Sequence, residues 1–235
     1  MKNPVNKSFV KKDTYRDAFL IKRFLMPNNI DAITVSVNYA DILSIIMPQN
    51  QQFFTNWYIL TSEKDEITHR VIEKYDYSNV KSLNFNFYEK HIFNKGGAIR
   101  SAQKTITESV YDDKKILILD SDILLPDNFE DVIANIDFEC NTLYSAERKI
   151  YHSMKNLLED KPDKVDNTDF FGFFQLYKYK ENKDKLYENS MDCSVCDLKF
   201  KNLFKKRKKI DNFYVAHLGK TNCNWKGRRK QGFYF

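Results

Sequence analysis

The sequence predicts an α/β protein built on a mixed, mostly parallel sheet flanked by helices. Three observations carry this. Aliphatic and β-branched runs recur along the first half: "DAITVSV" ending at Val37, "NWYILTS" ending at Ser62, and "KKILILD" ending at Asp120. Segments with helical apolar spacing stand between them. The second run ends in Thr61 and Ser62 and the last in Asp120, as strands do when their carboxyl ends line a crevice. Strands alternating with helices build parallel sheets through crossover connections.

Taken in order, "DAITVSV" reads as the first strand, and "NYADILSIIMPQN" as a short helix stopped near Pro48. "NWYILTS" is the second strand, and "DEITHRVIEKY" a helix beginning at Asp65. "VKSLNFNF" is a third strand, "NKGGAIRSAQKTITESV" a glycine-led helix, and "KKILILD" the fourth strand. Pro126 and Asp127 open the helix "PDNFEDVIANI", proline being suited to an early helical position. The second half is less regular. "NTLYSAERKIY" and "FFGFFQLYKY" read as strands, "CSVCDLKFKNLF" as a helix, and "IDNFYVAHLG" as a closing strand ending at His217. Asn156 to Asp169 reads as a polar loop. No internal repeat or long linker divides the chain.

A chain of 235 residues, 42% hydrophobic and 30% charged, suits one large domain. No apolar run approaches the roughly 18 to 20 residues of a membrane span. Charges scattered through the first 24 residues argue against a signal peptide. A soluble, cytoplasmic protein is the expectation. Of Cys140, Cys193, Cys196 and Cys223, only Cys193 and Cys196 form a CxxC pair, which reads as reduced structural thiols rather than zinc ligands.

The net charge of +6 is unevenly spread. Residues 1 to 30 hold seven Lys/Arg against two Asp/Glu, residues 205 to 235 hold ten against one, and the stretch between is net acidic. Such basic ends suit a phosphate-rich partner or an anionic surface. Lys205 to Lys209 also fits the solvated end of a helix. The tail adds Trp225, Phe233, Tyr234 and Phe235, a mixture that grips phosphates and stacks on bases. It suits docking on an anionic membrane equally well.

Two carboxylates follow the most hydrophobic strand. Asp120 and Asp122 share a face if the extended conformation persists past Leu119, and like charges held so close call for a cation. Otherwise Asp120 starts a turn and Asp122 is solvated. His217, after the last strand, can add an imidazole to a divalent metal site. A metal held there would neutralise a diphosphate leaving group.

At this point the residues resemble a family. The order of elements, with "FNKGGAIRSA" at Phe93 to Ala102, "LDSDILLP" at Leu119 to Pro126, "GFFQLY" at Gly172 to Tyr177, "CDLKF" at Cys196 to Phe200 and late His217, is similar to nucleotide-sugar glycosyltransferases of the Rossmann-like GT-A fold, close to glycosyltransferase family 2. The resemblance covers about residues 31 to 220. It leaves 1 to 30 as a basic accessory segment and 221 to 235 as a basic aromatic tail. It implies that Asp120, Ser121 and Asp122 form the DxD motif, with Asp122 on the metal and Asp120 on the donor ribose or the metal. Asn38, Tyr39, Thr61, Ser62 and Asp65 fall where the family holds the nucleoside, and Lys95 and Arg100 where it contacts the nucleotide and its phosphates. Asp197 corresponds to the base that deprotonates the acceptor, with Asp192 in reserve. Cys196 stands where the family has a second acid, and either aspartate also suits a helix N-cap.

The implied activity is transfer of a sugar from a nucleoside diphosphate, most naturally a UDP-sugar, with Mn2+ or Mg2+, to a hydroxyl of a glycan or lipid-linked acceptor. Hydroxymethylated DNA is an alternative acceptor to which the basic ends would suit. A polyanion-binding module on a degenerate transferase fold is the alternative of another class. A nucleotidyltransferase also uses paired acids and a metal, but a glycine-rich phosphate loop does not follow the first strand.

Overall fold

A computed structural model describes residues 29–87, 93–106, 114–166, 172–189 and 193–219, without the side chains of Cys193 and Ser194. The basic segment 1–28 and the tail 220–235 lie outside them, as does Asp192.

Four strands form the parallel half of the sheet: β1 (Ile30–Val35), β2 (Asn56–Thr61), β3 (Val80–Asn84) and β4 (Lys115–Leu119), in the order β3-β2-β1-β4. Their side chains alternate between two cores. Ile30, Ala32, Trp57, Ile59, Leu117 and Leu119 face one. Ile33, Tyr58, Leu60, Ile116 and Ile118 face the other. Burial on both faces explains the unbroken aliphatic run of β4, since a sheet covered by helices on each side has no solvent face. The first core is closed by α1 (Ala40–Asn50) and later by α4 (Phe129–Ala134), through Ile42, Leu43, Ile46, Met47, Phe129 and Ile133. The second is closed by α3 (Lys95–Thr105) and α6 (Cys193–Lys201), through Ala98, Ile99, Ala102, Cys196 and Phe200.

The remaining strands are β5 (Ile123–Leu124), β6 (Thr142–Tyr151), β7 (Lys164–Asp166), β8 (Phe174–Lys178) and β9 (Lys206–Leu218). They extend the order through β4-β8-β6-β9-β5, with β7 paired to β6. β8 runs antiparallel to β4 and β9 parallel to β6. Register pairs in the parallel sense outnumber the antiparallel ones, so the sheet is mixed and mostly parallel.

Local chemistry accounts for the helix limits. Asp65 caps α2 (Glu66–Tyr75) by accepting a hydrogen bond from the Thr68 amide at 3.2 Å. Asn94 caps α3 by accepting from the Gly97 amide at 2.9 Å. α1 ends at Asn50, near Pro48 as expected, but with the proline inside its last turn. Proline removes the amide that would bond the Ser44 carbonyl. The Tyr75 hydroxyl donates to that carbonyl instead, at 2.8 Å, so the helix passes through.

Three other expectations change. β9 begins at Lys206, four residues before the expected closing strand, so the basic run lies in the sheet rather than at a helix end. The polar loop 156–169 holds the end of α5 (Met154–Leu158) and all of β7. Pro126 and Asp127 precede α4, with Pro126 accepting from the Phe129 amide in the turn that leads into it. Among the described residues no helix is long and apolar enough to cross a membrane.

Candidate functional site

The chain moves outward from β1 to β2 and β3, then returns to β4 on the other side of β1. Such a reversal opens a crevice beyond the carboxyl ends of the two central strands, where open α/β sheets bind ligands. Asn38 follows β1 and Asp120 follows β4, so both fall at that opening.

On the β1 side, one buried carboxylate ties three elements together. Asp65 Oδ2 accepts from the Asn38 amide at 2.6 Å and from the Thr68 hydroxyl at 2.7 Å, with the Thr61 hydroxyl at 3.4 Å. Asn38 has a φ of 62°, a left-handed conformation that asparagine tolerates well. Of the five residues expected at the nucleoside, Asn38 is exposed and Ser62 half-buried, whereas Tyr39, Thr61 and Asp65 are buried in the structure that supports them.

At the end of β4 the chain turns. The Ile123 amide donates to the Asp120 carbonyl at 3.3 Å, and the Asp120 amide to the Phe173 carbonyl at 3.1 Å. The extended arrangement that would aim both acids one way is therefore corrected. So is the alternative of a solvated Asp122, which is only 3% exposed. Their carboxylates go to different partners. Ser121, between them, is also buried.

Asp120 faces a lysine. Lys95 Nζ lies 2.9 Å from Asp120 Oδ1 and 3.2 Å from Asp197 Oδ2, an ammonium shared by the first acid of the motif and the candidate base. Burial works to lower the Lys95 pKa, but Asp120 and Asp197 outweigh it and hold the group well above its usual range. Burial raises the Asp197 carboxyl, Lys95 pulls it back and Asp120 pushes it further up. Asp197 Oδ1 is 2.9 Å from the Tyr187 hydroxyl, which also lies 2.6 Å from Gln175 Oε1. Gly172, at φ 86°, passes so close that a Cβ there would overlap the Asp197 carboxylate. The buried thiol of Cys196 sits beside it, Sγ 3.8 Å from Oδ1.

α3 grips the segment that carries Tyr187. Arg100, expected at a phosphate, commits one of its five donors to the backbone, Nη1 donating to the Tyr187 carbonyl at 3.0 Å. The Tyr187 amide donates to Gln103 Oε1 at 2.8 Å, and Asn94 Nδ2 donates to Asn189 Oδ1 at 2.6 Å. Gly96 leaves room for the Glu188 carbonyl, which a Cβ would strike. The glycines after Lys95 thus serve close packing.

Asp122 meets the histidine from the last strand. Ile123 is paired with His217 across β5 and β9, and the Leu218 amide donates to the Asp122 carbonyl at 2.7 Å. His217 Nε2 then lies 3.6 Å from Asp122 Oδ2, while Nδ1 is 3.2 Å from the Gly219 carbonyl. In the neutral imidazole, donation from Nδ1 to that carbonyl leaves Nε2 with its lone pair towards the carboxylate, the tautomer a metal ligand needs. Burial raises the Asp122 carboxyl, His217 in its protonated form and Arg148 draw it down, and Asp120 opposes them. Arg148 was not among the expected residues. It sits 4.6 Å over the Phe173 ring and pairs with Asp166 through Nε at 3.1 Å and Nη2 at 2.7 Å. The only trace it leaves in the sequence is an arginine inside a strand.

Among the described residues no group of three or more His, Cys, Asp or Glu is gathered to hold a metal, so Asp120, Asp122 and His217 do not form one set. Asp122 with His217 remains as a carboxylate and a correctly oriented imidazole. Two protein ligands fit a hard divalent ion that takes its other oxygens from phosphate and water.

The chain resembles several solved transferase structures in its overall course. These include 4-diphosphocytidyl-2C-methyl-D-erythritol synthase from Anaerococcus prevotii, at 13% identity over 82% of this chain and 90% of that one, TM-score 0.49. Glucosyl-3-phosphoglycerate synthase from Mycobacterium tuberculosis, solved with phosphoglyceric acid, matches at 12% identity over 82% and 73%, TM-score 0.47. A glucose-1-phosphate thymidylyltransferase from Bacillus anthracis matches at 8% identity over 77% and 87%, TM-score 0.45. No protein-family model matches the chain, and no curated protein sequence matches it. At these scores the chemistry is read from the side chains alone.

The basic run stands apart from the crevice. Lys206 and Lys208 both pair with Glu139, and Lys209 with Glu147 at 3.6 Å. Hydrogen bonds from Lys206 and Lys208 draw the Glu139 carboxyl down to about 2. In register, Lys206 lies opposite Thr142 and His217 opposite Ile150. At a strand rise of about 3.3 Å per residue, that separates them by roughly 26 Å.

Proposed function

We propose that the protein is a metal-dependent glycosyltransferase that moves a sugar from a nucleoside diphosphate, a UDP-sugar by preference, to the hydroxyl of a glycan or lipid-linked acceptor. One observation carries this reading: the two acids after β4 belong to chemically distinct centres, Asp120 reaching Lys95 beside Asp197 and Asp122 reaching His217. Asp122 with His217 is suited to Mn2+ or Mg2+, and Asp197 with Lys95 and Asp120 is suited to proton transfer.

In this reading Asn38 and Ser62 border the nucleoside, and Asp120 fixes Lys95 beside Asp197. Asp122 and His217 would hold the ion; when bound, it neutralises the charge that develops on the leaving diphosphate. Asp197 takes the proton of the acceptor hydroxyl as the acceptor oxygen bonds the anomeric carbon and the bond to the β-phosphate breaks. Its raised pKa suits a base that must hold that proton. Attack opposite the leaving group inverts the anomeric centre.

The distance of Lys206 and Lys208 from His217 and the Glu139 they share weigh against hydroxymethylated DNA as the acceptor. The basic ends that would serve DNA or an anionic surface lie outside the described residues. The test is product analysis after incubation with a panel of nucleotide sugars, Mn2+ and candidate acceptors. Release of nucleoside diphosphate with sugar transfer is expected. Release of pyrophosphate from a nucleoside triphosphate and a sugar phosphate would point to nucleotidyl transfer instead.

A further inference from the structure

The hydroxyl of Tyr187 has two close neighbours that are both drawn as acceptors: Gln175 Oε1 at 2.6 Å and Asp197 Oδ1 at 2.9 Å. A phenol carries one proton and cannot donate to both. The Gln175 amide is oriented by its other end, where Nε2 faces the Asp197 backbone carbonyl at 3.5 Å, so Oε1 is the atom turned to the phenol. When Asp197 is ionised, the phenol donates to Oδ1. When Asp197 is protonated, Oδ1–H donates to the phenol oxygen, and the phenol donates to Gln175. Lys95 donates to Oδ2, so a proton on this carboxyl belongs on Oδ1.

We propose that Tyr187 and Gln175 are positioning residues that serve Asp197 in both protonation states, the phenol proton turning from Asp197 to Gln175 as the carboxylate takes the acceptor's proton. The inference rests on the reading of Asp197 as the acceptor base. It adds two residues that neither the motif nor the sequence pattern indicated.

The step balances. The acceptor O–H bond breaks and an Oδ1–H bond forms. The acceptor oxygen bonds the anomeric carbon, and the diphosphate leaves with the electron pair of its bond to the sugar. The phenol keeps its own proton throughout and changes only its direction. Burial, with Asp197 next, holds the Tyr187 phenol well above its usual range, so it remains a donor.

The surroundings fix the toggle in place. The Tyr187 ring stacks on Phe200 at 4.3 Å, and α3 holds its amide and carbonyl through Gln103 and Arg100. Gln175 is fully buried on β8. The other titratable groups that act on the Asp197–Tyr187 pair are Lys95 on α3, Asp120 after β4 and Cys196 on α6.

The test is a carbon-13 titration of the carboxyl of Asp197 in the full chain, with the signal assigned by its loss in Asp197→Asn. Tyr187→Phe keeps the ring and removes the hydroxyl. Its midpoint rises by about half a pH unit or more, because the ionised carboxylate loses a donor. Gln175→Met keeps the volume and leaves the phenol only Asp197 to serve. Its midpoint falls by about the same amount. A purely structural role would not drive the two variants in opposite directions. A midpoint that rises or stays fixed in Gln175→Met, or stays fixed in Tyr187→Phe, overturns the proposal. In parallel, kcat for transfer in Tyr187→Phe drops about tenfold or more while the KM for donor holds within about twofold. If the wild-type protein transfers no sugar, the glycosyltransferase reading fails, and the titration still decides the toggle.

Discussion

At the scale of single residues, the site depends on Lys95 and Gly172 as much as on its acids. The Lys95 ammonium lowers an Asp197 carboxyl that burial has raised. Lys95→Met therefore raises it further, and the acidic limb of the pH–rate profile for kcat/KM moves to higher pH, because Asp197 must be ionised to accept a proton. An unmoved limb would mean that another group sets it. Gly172→Ala both forces a side chain into φ 86° and drives its Cβ into Asp197. A backbone strained in this way costs about 1–3 kcal/mol. Transfer is lost while metal-dependent nucleotide binding, which uses Asp122 and His217, persists. Chemical denaturation and nucleotide titration of the same variant check both statements.

At the scale of elements, the cost of interrupting a helix is met by a neighbour. Tyr75→Phe leaves the Ser44 carbonyl of α1 without the hydroxyl that replaces the amide lost at Pro48. A loss of about 0.5–1.5 kcal/mol in urea unfolding, with no change in activity, is expected. Pro48 also shows where sequence reading stops short. Apolar periodicity located α1, but the rescue of its proline comes from a tyrosine 27 residues along the chain, at the end of another helix. β4 was legible because burial on both faces writes itself as an unbroken aliphatic run. The acids after it were legible as a carboxylate pair at a strand end and misread in geometry, since the turn at Ser121 sends Asp120 to Lys95 and Asp122 to His217. Tyr187 and Gln175 were invisible. One lies in an irregular segment with no period, and the other reads as a polar residue inside a strand. Arg148 was missed for a related reason, because its partner Asp166 belongs to a short strand hidden in an apparent loop.

At the scale of the whole molecule, two centres share one crevice at the reversal of strand order. One is suited to a cation and phosphates, the other to a proton. The basic run of β9 does not extend this site towards a polyanion, because it lies at the far end of the sheet, where Lys206 and Lys208 share Glu139 and Lys209 pairs with Glu147. A protein truncated after residue 219 is accordingly expected to bind duplex DNA no more tightly than its net charge dictates, with affinity falling steeply as salt rises. Sequence-selective or salt-resistant binding in a gel shift would reopen DNA as the acceptor.

The central claim is that Asp122 and His217 couple a divalent ion to the donor diphosphate. Calorimetric titration of UDP, with and without Mn2+, into the wild-type protein and Asp122→Asn tests it most directly. The account predicts that Mn2+ tightens UDP binding by about tenfold or more in the wild type and has no effect in the variant, which remains folded. Equal UDP affinity with and without Mn2+ in the wild type, or full Mn2+ dependence in Asp122→Asn, would contradict it.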